Sequence, residues 1–237
     1  MGKLTRTTLR RTNNGGRKMS KVIIEAKDIV KTFKRNTVLD SISFELDQGK
    51  IYGFQGRNGS GKTMLLRVLS GLMRPTKGQI LINGINMTKQ GNFPNNIGVL
   101  IEYPGFVPDY TGFKNLKLLS KIQSKISDND IKKAIESVGL NPDDKKKYKK
   151  YSLGMKQRLG IAQAIMEDQQ IIMLDEPTNA LDREAVKVVE KLLFKLKAEG
   201  KTILVASHDS ETLNAVSDKI FDIDCGRIIR ESERNVN

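Results

Sequence analysis

The sequence contains one cysteine, Cys225, and one histidine, His208, among its 237 residues. A single cysteine excludes an intrachain disulfide and a thiolate metal cluster, and a single histidine excludes a histidine-rich metal site. No stretch approaches 18 consecutive apolar residues, so nothing in the sequence is expected to span a membrane by itself. These absences rule out a disulfide-stapled secreted module, and they leave a globular chain whose chemistry rests on other residue types.

Positive charge is in excess, since 41 Lys and Arg face 27 Asp and Glu for a formal net charge of +14. Residues 1–20 hold several basic side chains, no acid and few apolar residues. This composition predicts a mobile basic extension, and it lacks the apolar segment of a secretory signal. We therefore expect two regions, an extension over 1–20 and a folded unit over 21–237.

A second basic cluster runs from Lys145 to Lys150 and follows Asn141-Pro142. A solvated surface is the ordinary interpretation of such a run. Contact with nucleic acid or anionic lipid is the alternative. It is disfavoured because no aromatic stacking pattern or known nucleic-acid motif accompanies the lysines.

From Lys21 onward the pattern alternates between strands and helices, which predicts an α/β fold. A mostly helical insertion is expected over roughly 105–165, with apolar faces formed by Leu116, Leu119 and Ile122 and by Ile131, Ile135 and Val138. The expected strands are 22–30, 38–46, 51–54, 79–82, 97–101, 171–174 and 203–206, with helices over 62–72 and 182–199 and a closing hairpin over 219–229.

A glycine-rich segment between a predicted strand and a predicted helix matches the pattern G-x-x-x-x-G-K-[ST], which is typical of nucleotide binding. Glycines let the backbone wrap a phosphate, and consecutive N–H groups then face the anion. Lys62 is expected to reach the β- and γ-phosphates of a nucleotide, and the Thr63 hydroxyl to bind Mg²⁺. The residues of the match are Gly56, Arg57, Asn58, Gly59, Ser60, Gly61, Lys62 and Thr63.

Two carboxylates, Asp175 and Glu176, end the fully apolar run Ile171–Leu174. In a parallel sheet the carboxyl end of such a strand lies beside the phosphate-binding loop. We expect Asp175 to hold Mg²⁺, through water, and Glu176 to orient and deprotonate an attacking water molecule. Acidic strand ends are common, and the prediction gains its weight from the phosphate-binding motif.

Together these motifs resemble the ATP-binding subunit of an ABC transporter, over nearly all of residues 21–229. Residues 151–158, Tyr-Ser-Leu-Gly-Met-Lys-Gln-Arg, resemble the ABC signature, and residues 179–182 resemble the D-loop. The resemblance implies nucleotide contacts for Ser152, Gly154 and Asp182 and a catalytic switch role for His208. It places Phe33 where the family stacks an aromatic ring on adenine, and Glu102 where the family has the Q-loop glutamine, beside the metal.

Several positions depart from the family pattern. Leu153 and Met155 replace a glycine and a glutamine of the signature, Glu102 replaces a glutamine, and Arg57 replaces a proline. Together with the segment 97–106, these departures look most similar to the bacitracin-resistance and lantibiotic-protection branch of exporters. They put the nucleotide contacts at positions 153 and 155 in doubt.

The resemblance implies a P-loop NTPase core with an N-terminal antiparallel β subdomain and a helical insertion. It also implies a head-to-tail dimer that sandwiches two ATP molecules, with Mg²⁺, at the cytoplasmic face of a membrane. The partner is expected to be a separate permease, towards which the helical insertion carries the motion, and the branch resemblance alone implies antibiotic peptides as its cargo. An ABC ATPase that acts on nucleic acid and the ATPase of an importer are the alternatives.

Overall fold

The computed structural model describes residues 21–89, 92, 94–102 and 104–233. The basic extension expected over 1–20 lies outside the described residues. Within them, no helix combines the length and the apolar character needed to cross a bilayer.

Two sheets form the framework. The first is antiparallel with the strand order β2-β1-β4-β5, and the second has six strands in the order β10-β9-β3-β8-β7-β6. In the second sheet β6, β7, β8, β3 and β9 run parallel, and β10 pairs antiparallel with β9. The strands are β1 (Val22–Phe33), β2 (Asn36–Asp47), β3 (Ile51–Gln55), β4 (Lys77–Ile82), β5 (Ile85–Asn86), β6 (Ile97–Leu100), β7 (Ile171–Asp175), β8 (Thr202–Ser207), β9 (Lys219–Asp224) and β10 (Arg227–Glu233).

Helices connect and cover the strands, and the expected α/β fold is confirmed. Two of them, α2 and α3, follow β6 and precede a short 3₁₀ turn at Tyr148–Lys150 that leads to α4. The helices among the described residues are α1 (Lys62–Leu69), α2 (Gly112–Ser120), α3 (Asp128–Ser137), α4 (Leu153–Ile165), α5 (Arg183–Ala198) and α6 (Ser210–Val216).

The central strands are buried on both faces, as their unbroken apolar runs predict. In β7, Ile172 and Leu174 pack into a core shared with α2 to α5, whereas Ile171 and Met173 pack into a second core with α1 and the antiparallel sheet. Successive side chains of a strand point to opposite faces, so each strand joins both cores. This packing fixes the carboxyl ends of β3, β7 and β8 as neighbours at one edge.

Some sequence-based expectations differ from the structure in detail. Ile122 lies beyond α2 and is 79% exposed, so it does not share the buried face of Leu116. Helix α1 ends at Leu69 rather than at residue 72, because Gly71 adopts a φ of 78° just after the cap Ser70. Ile131, Ile135 and Val138 are buried as predicted, and Ser127 begins α3 with a capping box.

Candidate functional site

The loop between β3 and α1 is shaped by its glycines. Gly59 and Gly61 adopt φ values of 80° and 111°, which other residues rarely reach. A Cβ atom on Gly56 would overlap the carbonyl oxygen of Ile223 and the hydroxyl of Ser60. Gly61 is the N-cap of α1 and supplies no side-chain acceptor to the first N–H groups of the helix. These donors stay directed at the concave side of the loop, where an anion fits.

Lys62 is the first residue of α1 and is buried, with 5% of its surface exposed. Its ammonium group donates to the carbonyl oxygens of Gly56, at 2.7 Å, and Arg57, at 3.1 Å. The same nitrogen lies 3.7 Å from Oε1 of Glu176. A buried cation is therefore held inside the loop, next to a carboxylate from the end of β7. Arg57, Asn58 and Gly59 form the exposed rim of the loop, and Ser60 is buried.

Asp175 and Thr63 form the second contact between the loop and β7. The Thr63 hydroxyl donates to Oδ2 of Asp175 at 2.7 Å, and Oδ1 of Asp175 is buried without a hydrogen-bond partner among the described residues. Burial raises the pKa of Asp175 above its ordinary value, and the hydrogen bond from Thr63 opposes this only in part. An unpartnered carboxylate oxygen beside a hydroxyl is a donor set that suits a hard divalent cation such as Mg²⁺.

Glu176 is fixed by three groups from the end of β8. Its Oε2 accepts a hydrogen bond from the Ser207 hydroxyl at 2.9 Å and lies 3.0 Å from Nδ1 of His208. Its Oε1 accepts from the backbone N–H of His208 at 3.1 Å. The carboxylate side chain is 18% exposed and the His208 side chain 49%, so this pair stands at the mouth of the site. Glu176 is thus held in one orientation while its surroundings stay open to solvent.

Glu102 follows β6 in the left-handed region, with a φ of 60°. Its side chain is 65% exposed, and its Oε1 accepts a hydrogen bond from Nη2 of Arg67, in the last turn of α1, at 2.5 Å. The negative charge of Glu102 contributes weakly to the raised pKa of Asp175. In this structure Glu102 therefore stands near the other acids but is paired with Arg67.

Phe33 ends β1 in the antiparallel sheet, and its ring is 42% exposed. The ammonium of Lys31 lies 4.9 Å from the ring centre and also donates to the carbonyl oxygen of Arg74. The ring is thus available at the surface for stacking, with a cation beside it.

The three remaining predicted residues lie at the starts of two other helices. Ser152 caps α4 by accepting from the N–H of Met155 at 3.2 Å, and Asp182 caps α5 by accepting from the N–H of Ala185 at 2.8 Å. Ser152 and Asp182 are both exposed. Gly154 packs against the segment before α5, where a Cβ atom would approach the carbonyl oxygen of Ala180 to 2.9 Å. These residues form a second surface, built from helix starts rather than strand ends.

Sequence reasoning missed three residues of the site. Ser207 holds Glu176, Arg67 holds Glu102, and Gln157 of α4 donates from Nε2 to the backbone carbonyl oxygen of Glu176 at 2.9 Å. Ser207 directly precedes the predicted His208, and Gln157 lies inside the predicted signature. Their positions in the sequence could therefore have identified both as site residues. Arg67 had none, because its partner lies 35 residues away.

The ABC transporter family model matches residues 39–179. An ABC transporter ATP-binding protein of Bacillus subtilis strain 168, YybJ, is 48% identical over 87% of this chain and 94% of its own. The bacitracin transport ATP-binding protein BcrA of Enterococcus faecalis is 37% identical over 88% of this chain and 68% of its own. The lantibiotic transport ATP-binding protein SrtF of Streptococcus pyogenes is 32% identical over 89% of this chain and 91% of its own.

A solved structure agrees with the same family. The dimeric structure of MJ0796, a bacterial ABC transporter cassette, superposes with a TM-score of 0.83 at 25% identity. The match covers 89% of this chain and 98% of the solved chain. The resemblance drawn from the motifs, including its bacitracin and lantibiotic relatives, is confirmed by these comparisons.

Proposed function

This chain belongs to the ATP-binding proteins of the ABC transporter family and is an ATP hydrolase, and from that premise we propose that two copies of it clamp two ATP molecules and power export through a separate membrane permease. The observation that carries the proposal is the division of the site between two surfaces. Gly56–Thr63 with Asp175 and Glu176 form the P-loop half, and Ser152, Gly154 and Asp182 form the helix-cap half.

In the P-loop half, the backbone N–H groups of the loop and the start of α1 bind the phosphates of ATP. Lys62 exchanges its contacts with the carbonyl oxygens of Gly56 and Arg57 for the charged phosphate oxygens. This exchange is favourable because hydrogen bonds between ionised partners are stronger than those to neutral carbonyls. Phe33 stacks on the adenine ring, a contact supported by its exposure at the end of β1.

Thr63 and Asp175 would hold Mg²⁺, which when bound neutralises charge on the phosphates. The support is the buried, unpartnered Oδ1 of Asp175 and the raised pKa of this carboxyl, since a cation relieves the cost of the buried charge. Glu102 would be free to act with Thr63 and Asp175 in holding the ion only if its contact with Arg67 were broken.

Glu176 acts as the general base. Its carboxylate accepts hydrogen bonds from Ser207 and the His208 N–H, which aim it, and it remains within reach of solvent. It therefore accepts a proton from the water that attacks the terminal phosphate. His208, at 3.0 Å from Glu176, lies at the mouth and contacts the terminal phosphate when nucleotide is bound.

The helix-cap half completes the site of the second copy. Helix starts bind anions, and both Ser152 and Asp182 are exposed at such starts. Their side chains cap their own helices, so each half of the site is well ordered before the copies meet. A two-fold axis then gives two equal sites, each with the P-loop half of one copy and the helix-cap half of the other.

Cross-linking between two variants tests this arrangement. We expect a chain with Asn58→Cys to form a disulfide with a chain with Ser152→Cys when Mg-ATP is added, both in a Cys225→Ser background. Each variant alone is the matched control, because the two-fold axis pairs position 58 with position 152 and not with itself. Cross-linking that is independent of nucleotide, or equally strong in the single variants, would contradict the arrangement.

Two of the relatives are named for bacitracin and lantibiotic transport, which supports a peptide antibiotic as the cargo, and export is our proposal for its direction. We propose that the chain sits peripherally on the cytoplasmic face of the membrane and that its permease moves a peptide antibiotic. The helices α2 and α3, with Glu102 through Phe106 before them, carry the motion of the site to that permease. Co-purification with a polytopic membrane protein, and ATPase stimulation by it, test the proposal.

The nucleic-acid alternative gains no support from the lysine cluster. Lys147 and Lys149 both pair with Asp109, and these contacts hold the pKa of Asp109 below its ordinary value. Part of the cluster's charge is therefore neutralised within the chain. Nucleic acid that binds tightly at physiological salt and stimulates ATP hydrolysis would reverse this preference.

A further inference from the structure

Gln157 joins α4 to the segment that carries Glu176. It is one of the few buried polar residues, with 6% of its surface exposed, and its amide donates to the backbone carbonyl oxygen of Glu176 at 2.9 Å. A buried amide is costly unless its hydrogen bonds are formed, so this contact constrains both partners. The helix and the end of β7 are therefore connected by a hydrogen bond that spans 19 residues of sequence.

Gly154 makes a second contact between the same two parts. Residues 154 and 157 are three apart on α4 and so lie on one face of the helix. On that face a Cβ atom at Gly154 would lie 2.9 Å from the carbonyl oxygen of Ala180 and 3.3 Å from a methyl group of Leu181. The first two turns of α4 thus pack closely against residues 176–181, and a shift of one part requires a shift of the other.

The backbone of Glu176 has an unusual conformation that these contacts help to hold. Its φ is 47°, a region that residues other than glycine occupy only when their surroundings impose it. Three hydrogen bonds surround this backbone. The N–H of Glu176 donates to the carbonyl oxygen of Ala206, and its carbonyl oxygen accepts from the Gln157 amide and from the N–H of Asn179. We expect the loss of one of them to alter this backbone conformation and with it the direction of the Glu176 carboxylate.

We propose that Gln157 is a positioning residue that couples the two nucleotide sites of the dimer. This inference rests on the proposed function, in which the start of α4 meets the nucleotide held by the partner subunit. Nucleotide bound to the partner subunit restricts the position of α4. Through its hydrogen bond, Gln157 then restricts the position of Glu176, which acts on the nucleotide bound to its own chain. Each site then becomes fully active only when the other is filled, which is an allosteric coupling between two defined sites.

The test compares Gln157→Met with Gln163→Met. Gln163 lies on the same helix and is half-buried, so the control makes the same chemical change away from Glu176. Two coupled sites give a Hill coefficient approaching 2 for the ATP dependence of hydrolysis. We expect Gln157→Met to lower that coefficient towards 1 and to lower turnover by about 5-fold or more, within the usual range of coupling energies. Binding of a fluorescent ATP analogue to the dilute single chain should be unchanged, as should all properties of Gln163→Met.

A second variant guards against a simple loss of folding. Gln157→Asn keeps the amide but shortens the side chain by one methylene. It should therefore lower the Hill coefficient in the same way while still unfolding in a single thermal transition. A fall in turnover with the Hill coefficient unchanged would overturn the coupling and leave a local structural role. Wild-type protein that forms ATP-dependent dimers but hydrolyses without cooperativity would overturn the inference alone. Failure to dimerise would overturn the proposed function as well.

Discussion

The P-loop half and the helix-cap half of the site differ in how the fold builds them. The P-loop half lies where buried strands end, and its charged groups already have partners in the chain: Lys62 bonds two carbonyl oxygens, and Glu176 bonds Ser207 and His208. The helix-cap half lies on an exposed surface, where Ser152 and Asp182 cap the starts of α4 and α5. One half is shaped by the core, whereas in the proposed dimer the other half becomes complete only at the interface between two copies.

Loss of the general base should have the largest effect and should act on the P-loop half alone. Glu176→Gln removes the proton acceptor but keeps the size of the side chain and its bond from Ser207. We expect turnover to fall by about 10²- to 10⁴-fold, the usual contribution of a general base, while ATP binding persists. Phosphate release and nucleotide binding measure the two quantities. Rapid hydrolysis by this variant would refute the assignment of the base.

Removal of the buried cation should weaken nucleotide binding itself. Lys62→Ala leaves the phosphates without a charge-assisted hydrogen bond, a loss of about 1.5–3 kcal/mol that corresponds to about 10- to 100-fold in affinity. Nucleotide-dependent dimerisation should disappear with it. Titration with a fluorescent ATP analogue provides the measurement, and Lys195→Ala, at an exposed lysine in the last turn of α5, is the control. Unchanged affinity in Lys62→Ala would argue against the loop as the phosphate site.

The raised pKa of Asp175 predicts that its buried charge, in the P-loop half, lowers the free energy of unfolding at neutral pH. Because burial raises this pKa, the folded chain binds the proton more tightly than the unfolded chain, so Asp175 stabilises the fold only when protonated. That contribution is lost as the pH rises above the ordinary value of 3.8. Asp175→Asn should therefore raise the melting temperature at neutral pH by about 2–4 °C for each kcal/mol gained.

The difference in melting temperature should shrink as the pH is lowered towards 3.8, since wild-type Asp175 then becomes neutral as well. Differential scanning calorimetry without nucleotide measures it. Asp182→Asn, at an exposed cap that keeps an acceptor, makes the same chemical change away from the buried carboxyl and is the matched control. A lower melting temperature for Asp175→Asn at neutral pH would contradict the cost of the buried charge.

The smallest effect is expected at the contact between Arg67 and Glu102. Arg67→Met frees Glu102 for the metal, so less Mg²⁺ should be needed for half-maximal nucleotide binding. An exposed ion pair is worth up to about 1 kcal/mol, so the shift should not exceed about 5-fold. A Mg²⁺ titration of nucleotide binding measures it, with Arg230→Met on β10 as the control. An increased Mg²⁺ requirement would show that Arg67 assists rather than competes.

The sequence predicted the local geometry of residues 56–63 and 171–175 well, because local chemistry determines it. Gly59 and Gly61 are required by their backbone angles, and Asp175 ends a strand that only a doubly covered sheet could bury. The helical start at Ser152 and the cap at Asp182 were also predictable, since both residue types favour that position. The expected roles of these residues in nucleotide binding remain predictions.

Other features depend on contacts that no local pattern encodes. Gln157 and Glu176 come together only when α4 packs beside β7, and Arg67 meets Glu102 only when α1 and β6 are in place. Strand lengths also depended on turn geometry: Lys34 adopts a φ of 52°, which makes a tight turn and extends pairing as far as Phe33 and Asn36. These are results of tertiary packing, which hydrophobic periodicity does not specify.

The molecular mass of Glu176→Gln in solution tests the central claim most directly. Sedimentation analysis with saturating Mg-ATP should give the mass of two chains, and the same sample with Mg-ADP or without nucleotide should give the mass of one. Ser152→Asp, which places a negative charge at the helix-cap half, should remain single under all conditions. If Glu176→Gln stays a single chain at every concentration of ATP, the division of the nucleotide site between two copies is wrong.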